Sequence, residues 1–270
     1  MSAAEPIRLV LSDVDGTLIN SRRELTPATV DAVGRLRDAG VIFAVTSGRP
    51  PRGLSMLIDP LRIDTPLAAF NGGEFVSPAM EEQRTLDVPA DLVEPIISTM
   101  RSHGLFAWLY SGAEWYVTDP SGTHVAQEAA TVEFQPTVVD TLAGVGPVAK
   151  IVGASDDHEA VARAAEATRA EFGHSVSAAR SQPYYLDVTH PNANKGAVVT
   201  HLGREFDIPL ESVATLGDMP NDVLMFAHCG TSIAMGNASL EVQRSARHVT
   251  DSNDEDGFAR AIDRFVLSGS

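Results

Sequence analysis

The chain contains one cysteine, Cys229, in 270 residues. No internal disulfide can form, so stability must come from a packed core, and a reducing compartment is expected. Cations are also scarce. Lysines and arginines number 20 against 36 aspartates and glutamates, a formal net charge of -16. So acidic a surface repels phosphate backbones and anionic lipid, and neither nucleic acid nor membrane is expected as a partner. No apolar run approaches the length that a bilayer demands. The opening MSAAEPIRLVLSD has no apolar stretch behind a basic one, so no signal peptide is expected and a cytoplasmic location follows. The sequon at Asn237 is read as accidental. Low-complexity tracts, repeats and long linkers are missing too.

What the chain does have is alternation. IRLVL (7–11) is an apolar run broken only by Arg8, as a strand buried on both faces would give. TPATVDAVGRLRDAG follows, with Thr26 placed to cap a helix, Pro27 at its first position and Gly40 beyond its end. VIFAV (41–45) reads as a second buried strand, residues 52–59 as a short helix and PLAAF (66–70) as a third strand. The last eighty residues repeat this grammar: KGAVVTHLGREFD a helix, VATLGD a strand, NDVLMFAHCG a helix, TSIAM a strand, and a final helix from Gly257. The fold class expected is α/β, a Rossmann-like doubly wound parallel sheet with right-handed crossovers.

The middle reads differently. LFAWLY (105–110) alternates, with Phe106, Trp108 and Tyr110 on one face, and EWYVT completes a hairpin. Two helical stretches, PADLVEPIISTMRSHG and DDHEAVARAAEATRAEFG, complete an α+β pattern. Aromatic residues form only 6% of the chain, yet both tryptophans and all four tyrosines fall here. We expect residues 83–189 to be an inserted domain and residues 1–82 with 190–270 to form the core.

Acids gather at the expected strand ends. DVDGT places Asp13 and Asp15 after the first strand, and GDMPND places Asp218 and Asp222 after VATLGD. In an open parallel sheet, ligands bind beyond the carboxyl ends of the strands. Four carboxylates converging there would take up protons unless a cation compensated them. An all-oxygen set points to Mg²⁺ over zinc. TSGR offers the Ser47 hydroxyl and the Gly48 amide, and Lys195 begins a helix whose N-terminus already favours anions. SNDEDGFARAID (252–263) imitates a calcium loop, but Ser252 and Asp263 occupy its first and last ligand positions, so turn and capping roles are expected.

DVDGTL, TSGR, Lys195 and GDMPND, in that order, resemble the four motifs of the haloacid dehalogenase superfamily. The insert between the second and third motifs resembles the cap of subclass IIB, the Cof-type phosphatases. NGG (71–73), AMGNA (234–238) and SNDEDG (252–257) extend the resemblance across the core. TSGR stands where ATGR is common, and HPNANKG replaces a run usually ending GVSKG. The resemblance implies that Asp13 is a nucleophile forming an aspartyl-phosphate and that Asp15 is the general acid and base. It implies that Mg²⁺ is held by Asp13, the Asp15 carbonyl and Asp218, with Asp222 acting from behind. It also implies that the Val14 and Gly48 amides, Ser47, Lys195 and Asn221 hold the phosphoryl oxygens. The substrate expected is a small phosphorylated metabolite such as a sugar phosphate. A sugar phosphomutase and a phosphoaspartate switch are the alternatives. One aromatic face of the cap, with Trp108, Tyr110 or Tyr185, is expected either to cover the mouth of the site or to form the cap's own core.

Overall fold

The computed structural model describes residues 5–268; the first four residues, on which the reading of the N-terminus partly rests, lie outside it. The chain opens with β1 (Leu9–Ser12), α1 (Pro27–Asp38), β2 (Ile42–Thr46), α2 (Ile58–Leu61), β3 (Leu67–Ala69), β4 (Glu74–Val76) and β5 (Glu82–Thr85). It continues with α3 (Ala90–Ser102), β6 (Phe106–Ser111), β7 (Glu114–Val117), α4 (Val125–Val132), β8 (Thr137–Val138), β9 (Lys150–Ala154), α5 (His158–Phe172), β10 (Ser177–Gln182) and β11 (Tyr185–Thr189). The last part supplies α6 (Lys195–Glu205), β12 (Val213–Gly217), α7 (Val223–Phe226), β13 (Thr231–Ala234), α8 (Leu240–Ser245), β14 (His248–Val249) and α9 (Gly257–Ala261).

Eight strands form one sheet in the order β14-β13-β12-β1-β2-β3-β4-β5. The six strands from β14 to β3 are parallel. Their apolar runs follow from burial on both faces: Val10 packs with Ala32, Val33 and Leu36 of α1, whereas Leu9 and Leu11 pack with Val198 and Leu202 of α6. Thr26 caps α1 by accepting the Thr29 N–H at 3.2 Å. The expected doubly wound core is present.

Four expectations need correction. β4 and β5 extend the sheet as antiparallel strands, and the boundary expected between residues 82 and 83 cuts through β5. The sheet therefore runs to Thr85. The helix expected over 52–59 is a 3₁₀ turn, Pro51–Leu57, leading into α2, because successive prolines and Gly53 suit a tighter coil. NDVLMFAHCG is helical only over a short turn and α7. The terminal helix widens into a π-turn over Ile262–Val266.

A second sheet, ordered β10-β11-β9-β6-β7-β8, carries α3 and α5 on one face. On its other face, Trp108, Tyr110, Trp115 and Val117 pack with Val125, Ala129 and Val132 of α4 and join the apolar cluster of the first sheet. The Phe70 and Tyr110 rings meet across this junction with centroids 5.1 Å apart. Trp108 and Tyr110 are fully buried and Tyr185 is 8% exposed. The aromatic face thus forms the packed interior between sheet and helix, and the rings do not line an open mouth. Arg52 also spans the junction, pairing with Glu114 at 2.8 Å and lying 4.3 Å from the centre of the Phe134 ring.

Candidate active site

β1 ends in a tight loop. The Val14 carbonyl accepts the amides of Leu18 at 2.9 Å and Ile19 at 3.1 Å, so the chain turns immediately beyond the sheet. Gly16 makes that turn possible. Its φ is +79°, and a Cβ there would lie 2.3 Å from a carboxylate oxygen of Asp218. Gly217 is equally constrained, since a Cβ would lie 2.4 Å from the Asp222 side chain. The two acidic loops, far apart in sequence, therefore close on each other.

At the centre, Lys195 Nζ donates to Asp13 Oδ1 at 2.6 Å and to Asp222 Oδ1 at 2.5 Å. Lys195 and Asp222 are fully buried, and Asp13 and Asp218 nearly so. The other Asp222 oxygen accepts the amides of Asp218 at 2.9 Å and Met219 at 2.8 Å. Asp222 is thereby tied to its own loop and to Lys195. Asp218 is held by the Thr17 hydroxyl at 3.1 Å and by Asn237 Nδ2 at 3.3 Å. Asn237 also donates to the Gly16 carbonyl at 2.9 Å and accepts the Asn253 amide at 3.0 Å. SNDEDG therefore braces the site through Asn237. Its remaining acids serve as local acceptors: Asp254 takes the Ser21 amide and Asp256 the Thr26 hydroxyl.

One ammonium does not balance three buried carboxylates. Burial drives the proton affinity of Asp13 well above the carboxylate range, with Lys195 opposing and the charges of Asp222 and Asp218 adding. Asp218 is pushed up to about 6, chiefly by burial and then by Asp222. Oxygens of Asp13, Asp218 and Asp222 lie within 4.8 Å of one another. A hard divalent cation fits this donor set and would remove the excess negative charge.

Asp15 lies apart from that cluster. Its carboxylate accepts Arg49 Nε and Nη2 at 2.7 Å each in a two-pronged pair. The Asp15 side chain is 49% exposed and that of Arg49 only 5%. We expected the two aspartates to share one set of compensating charges. Instead, Asp13 belongs to Lys195 and Asp15 to Arg49. The backbone accounts for the split, because β1 ends at Ser12 and the chain then enters the Gly16 turn.

Ser47 and Gly48 follow β2 as expected. Ser47 is buried, and its Oγ accepts the Arg49 amide at 3.2 Å. Gly48 lies against Asn71, whose Oδ1 accepts from Asn221 Nδ2 at 3.1 Å. Val14, Ser47, Gly48, Lys195 and Asn221 thus lie on loops and a helix start at one edge of the sheet. Two participants were not singled out from sequence, Arg49 and Asn237. Both stand inside quoted motifs, TSGR and AMGNA, but only folding shows what they touch.

The haloacid dehalogenase-like hydrolase family profile matches residues 10–262. The chain belongs to this family. Over 259 residues it is 29% identical to a putative phosphatase of Haemophilus influenzae, covering 95% of this chain and 97% of that protein. It is 27% identical to the 5-amino-6-(5-phospho-D-ribitylamino)uracil phosphatase YwtE of Bacillus subtilis, covering 97% and 99% of the two chains. A haloacid dehalogenase-like hydrolase from Bacteroides thetaiotaomicron superposes with a TM-score of 0.88 at 28% identity, over 96% of this chain and 99% of that one. The resemblance drawn from the motifs holds, and this haloacid dehalogenase-like protein is a hydrolase of the phosphatase class. No helix among its described residues is long and apolar enough to cross a membrane.

Proposed function

We propose that the protein is a Mg²⁺-dependent phosphomonoesterase acting on small phosphorylated metabolites. The observation that carries this reading is the division of the two motif aspartates. Asp13 is buried against Lys195, beside the acids able to hold a cation, whereas Asp15 is half-exposed on a separate guanidinium. A nucleophile and a proton carrier need that separation.

In the reaction, an Asp13 oxygen attacks phosphorus and the bond to the leaving oxygen breaks. Asp15, which takes up a proton as one of its two Arg49 bonds gives way to the bound ester, passes that proton to the leaving oxygen and the alcohol departs. Asp15 then takes a proton from water, whose oxygen attacks the phosphorus of the phosphorylated Asp13. Inorganic phosphate leaves, and Asp13 is restored as the carboxylate. Lys195 fixes the Asp13 oxygen throughout, and Arg49 positions Asp15 apart from it. Asp13, Asp218 and the Asp15 carbonyl would hold the Mg²⁺, with Asp222 ordering Lys195 and the 218–219 amides. When bound, the cation supplies charge neutralisation at the phosphoryl oxygens. The Ser47 hydroxyl, the Val14 and Gly48 amides and Asn221 complete the phosphoryl site. The inserted residues select the ester, and relatives that act on a phosphoribityl compound support a metabolite-sized substrate.

Phosphate release from a panel of phosphorylated metabolites, with Mg²⁺ or with chelator, tests this on wild type and Asp13→Asn. Metal-dependent turnover lost at least about 10³-fold in the variant is expected. Equal release by both proteins would refute the assignment.

A further inference from the structure

Asp218 is gripped from three sides. Its Oδ1 accepts the Thr17 hydroxyl at 3.1 Å, and its Oδ2 accepts Asn237 Nδ2 at 3.3 Å. The Gly16 backbone closes the third side, where a Cβ would lie 2.3 Å from that second oxygen. The carboxylate cannot turn freely, and one of its oxygens lies within 4.8 Å of oxygens of Asp13 and Asp222.

Asn237 can serve in this grip in one orientation only. Its Nδ2 also donates to the Gly16 carbonyl at 2.9 Å, and its Oδ1 accepts the Asn253 N–H at 3.0 Å. A backbone carbonyl only accepts and a backbone N–H only donates, so these two partners settle which end of the amide meets Asp218. Reversed, Asn237 would set its oxygen against a carboxylate and a carbonyl, and its amine against the Asn253 N–H. The residue is exposed, and water could satisfy its amide. It is nevertheless committed to three protein bonds.

The N–H that sets this orientation is itself held still. Asn253 opens a 3₁₀ turn capped by the Ser252 hydroxyl, and its Nδ2 donates to the Ile19 carbonyl at 3.0 Å. Asp254 accepts the Ser21 N–H and Asp256 the Thr26 hydroxyl, each at 2.8 Å. Gly236 donates to the Asp251 carbonyl at 3.0 Å, and a Cβ on it would lie 2.8 Å from the Ser252 nitrogen. The 251–257 segment is thus tied both to the loop after β1 and to the loop after β13.

We propose that Asn237, oriented by the Asn253 N–H, is a positioning residue that gives the acidic site its preference for Mg²⁺ over Ca²⁺. The assignment rests on the reading of Asp13 and Asp218 as cation ligands. Mg²⁺ demands a near-ideal octahedron of ligands at about 2.0–2.1 Å, whereas Ca²⁺ accepts longer and less regular contacts at about 2.3–2.6 Å. A carboxylate pinned by Thr17 and Asn237 suits the first ion. One free to rotate, or to turn both oxygens on a single ion, suits the second. The segment whose sequence imitates a calcium loop therefore acts against calcium, with Asp254 and Asp256 spent on the chain itself.

The test titrates MgCl₂ and CaCl₂ separately into chelator-treated protein by isothermal titration calorimetry. The readout is the ratio of the two dissociation constants, from which any unfolded fraction cancels. Asn253→Pro removes the N–H and the side chain, Asn253→Ala the side chain alone, so their difference isolates the N–H. Proline fits there, because Asn253 is the first residue of its turn and Ser252 is extended, with φ of -64° and ψ of 154°. Asn253→Pro should weaken Mg²⁺ binding about tenfold and shift the ratio toward Ca²⁺ at least about fivefold, as should Asn237→Ala. Asn253→Ala should keep the ratio within about twofold of wild type. Equal ratios in the two Asn253 variants would overturn the assignment. So would a wild type that prefers Ca²⁺, or an Asn237→Ala that loses both ions in equal proportion or neither. If the proline variant does not fold, Asn237→Ala decides alone. Failure of wild type to bind Mg²⁺, or unchanged Mg²⁺ binding in Asp218→Asn, would refute the cation reading itself and the assignment with it.

Discussion

Arg49 grips both carboxylate oxygens of Asp15, each at 2.7 Å, from a position where the guanidinium is almost wholly buried. Its remaining amine bonds the Gly53 carbonyl at 3.2 Å, so the fork is anchored in the turn that follows β2. A lysine cannot reproduce two parallel bonds from one rigid plane. Arg49→Lys should lower kcat at least about tenfold through misplacement of Asp15. The apparent affinity for Mg²⁺ should change little, because Asp13 and Asp218 are untouched. Steady-state kinetics over a Mg²⁺ titration separates the two effects.

The three buried acids around Lys195 should make the fold itself sensitive to divalent cation. Binding to the native state alone stabilises by about 2.7 kcal/mol at a hundredfold excess over Kd. Thermal unfolding with Mg²⁺ and with chelator should differ accordingly in the wild type. Asp218→Asn should abolish most of the difference while raising stability in chelator, since it removes one of the repelling charges.

Glu74 gives a pH signature away from the site. It is 3% exposed, its Oε2 has no partner, and burial together with Glu82 and Asp87 pushes it up to about 7 from an ordinary 4.5. Between those values the native state retains a proton that the unfolded chain has lost. The contribution is therefore most favourable below pH 4.5 and falls as pH rises through about 7. Glu74→Gln should remove that slope and stabilise the protein at pH 8 by up to about 3 kcal/mol. Denaturant unfolding at pH 5 and pH 8 measures it.

Trp108 is fully buried between the cap sheet and α4, with Trp115 and Tyr185 rings against it. Trp108→Ala should cost about 3–5 kcal/mol of stability. Relative kcat/KM across substrates should stay constant in the fraction that remains folded. A changed order of substrates would return this ring to the mouth of the site.

The core was legible because its strands are covered on both sides. IRLVL, VIFAV and VATLG are apolar but for Arg8, which is exposed before β1 begins, and Thr215, and they sit where the sequence places them. β5 and β10, with the sequences EQRT and SAARSQ, are edge strands whose residues are mostly exposed. No periodicity marks them, and backbone pairing alone makes them strands. Asp13, Lys195, Asp218 and Asp222, which the fold brings together, stood out because acids and a lone lysine at strand ends are chemically conspicuous. Arg49 was overlooked because its meaning lies in a contact with Asp15, 34 positions earlier. Asn237 was overlooked for the same reason, and its resemblance to a glycosylation signal masked it.

Lys195 and Arg49 are each already committed to the protein's own acids, in a chain with sixteen excess negative charges. The cations that touch these acids, Lys195 and Arg49, are thus spent on the protein's own carboxylates. On the proposed Mg²⁺-dependent reading, the acids would be neutralised before an ester is admitted, and the rate would follow the supply of divalent cation.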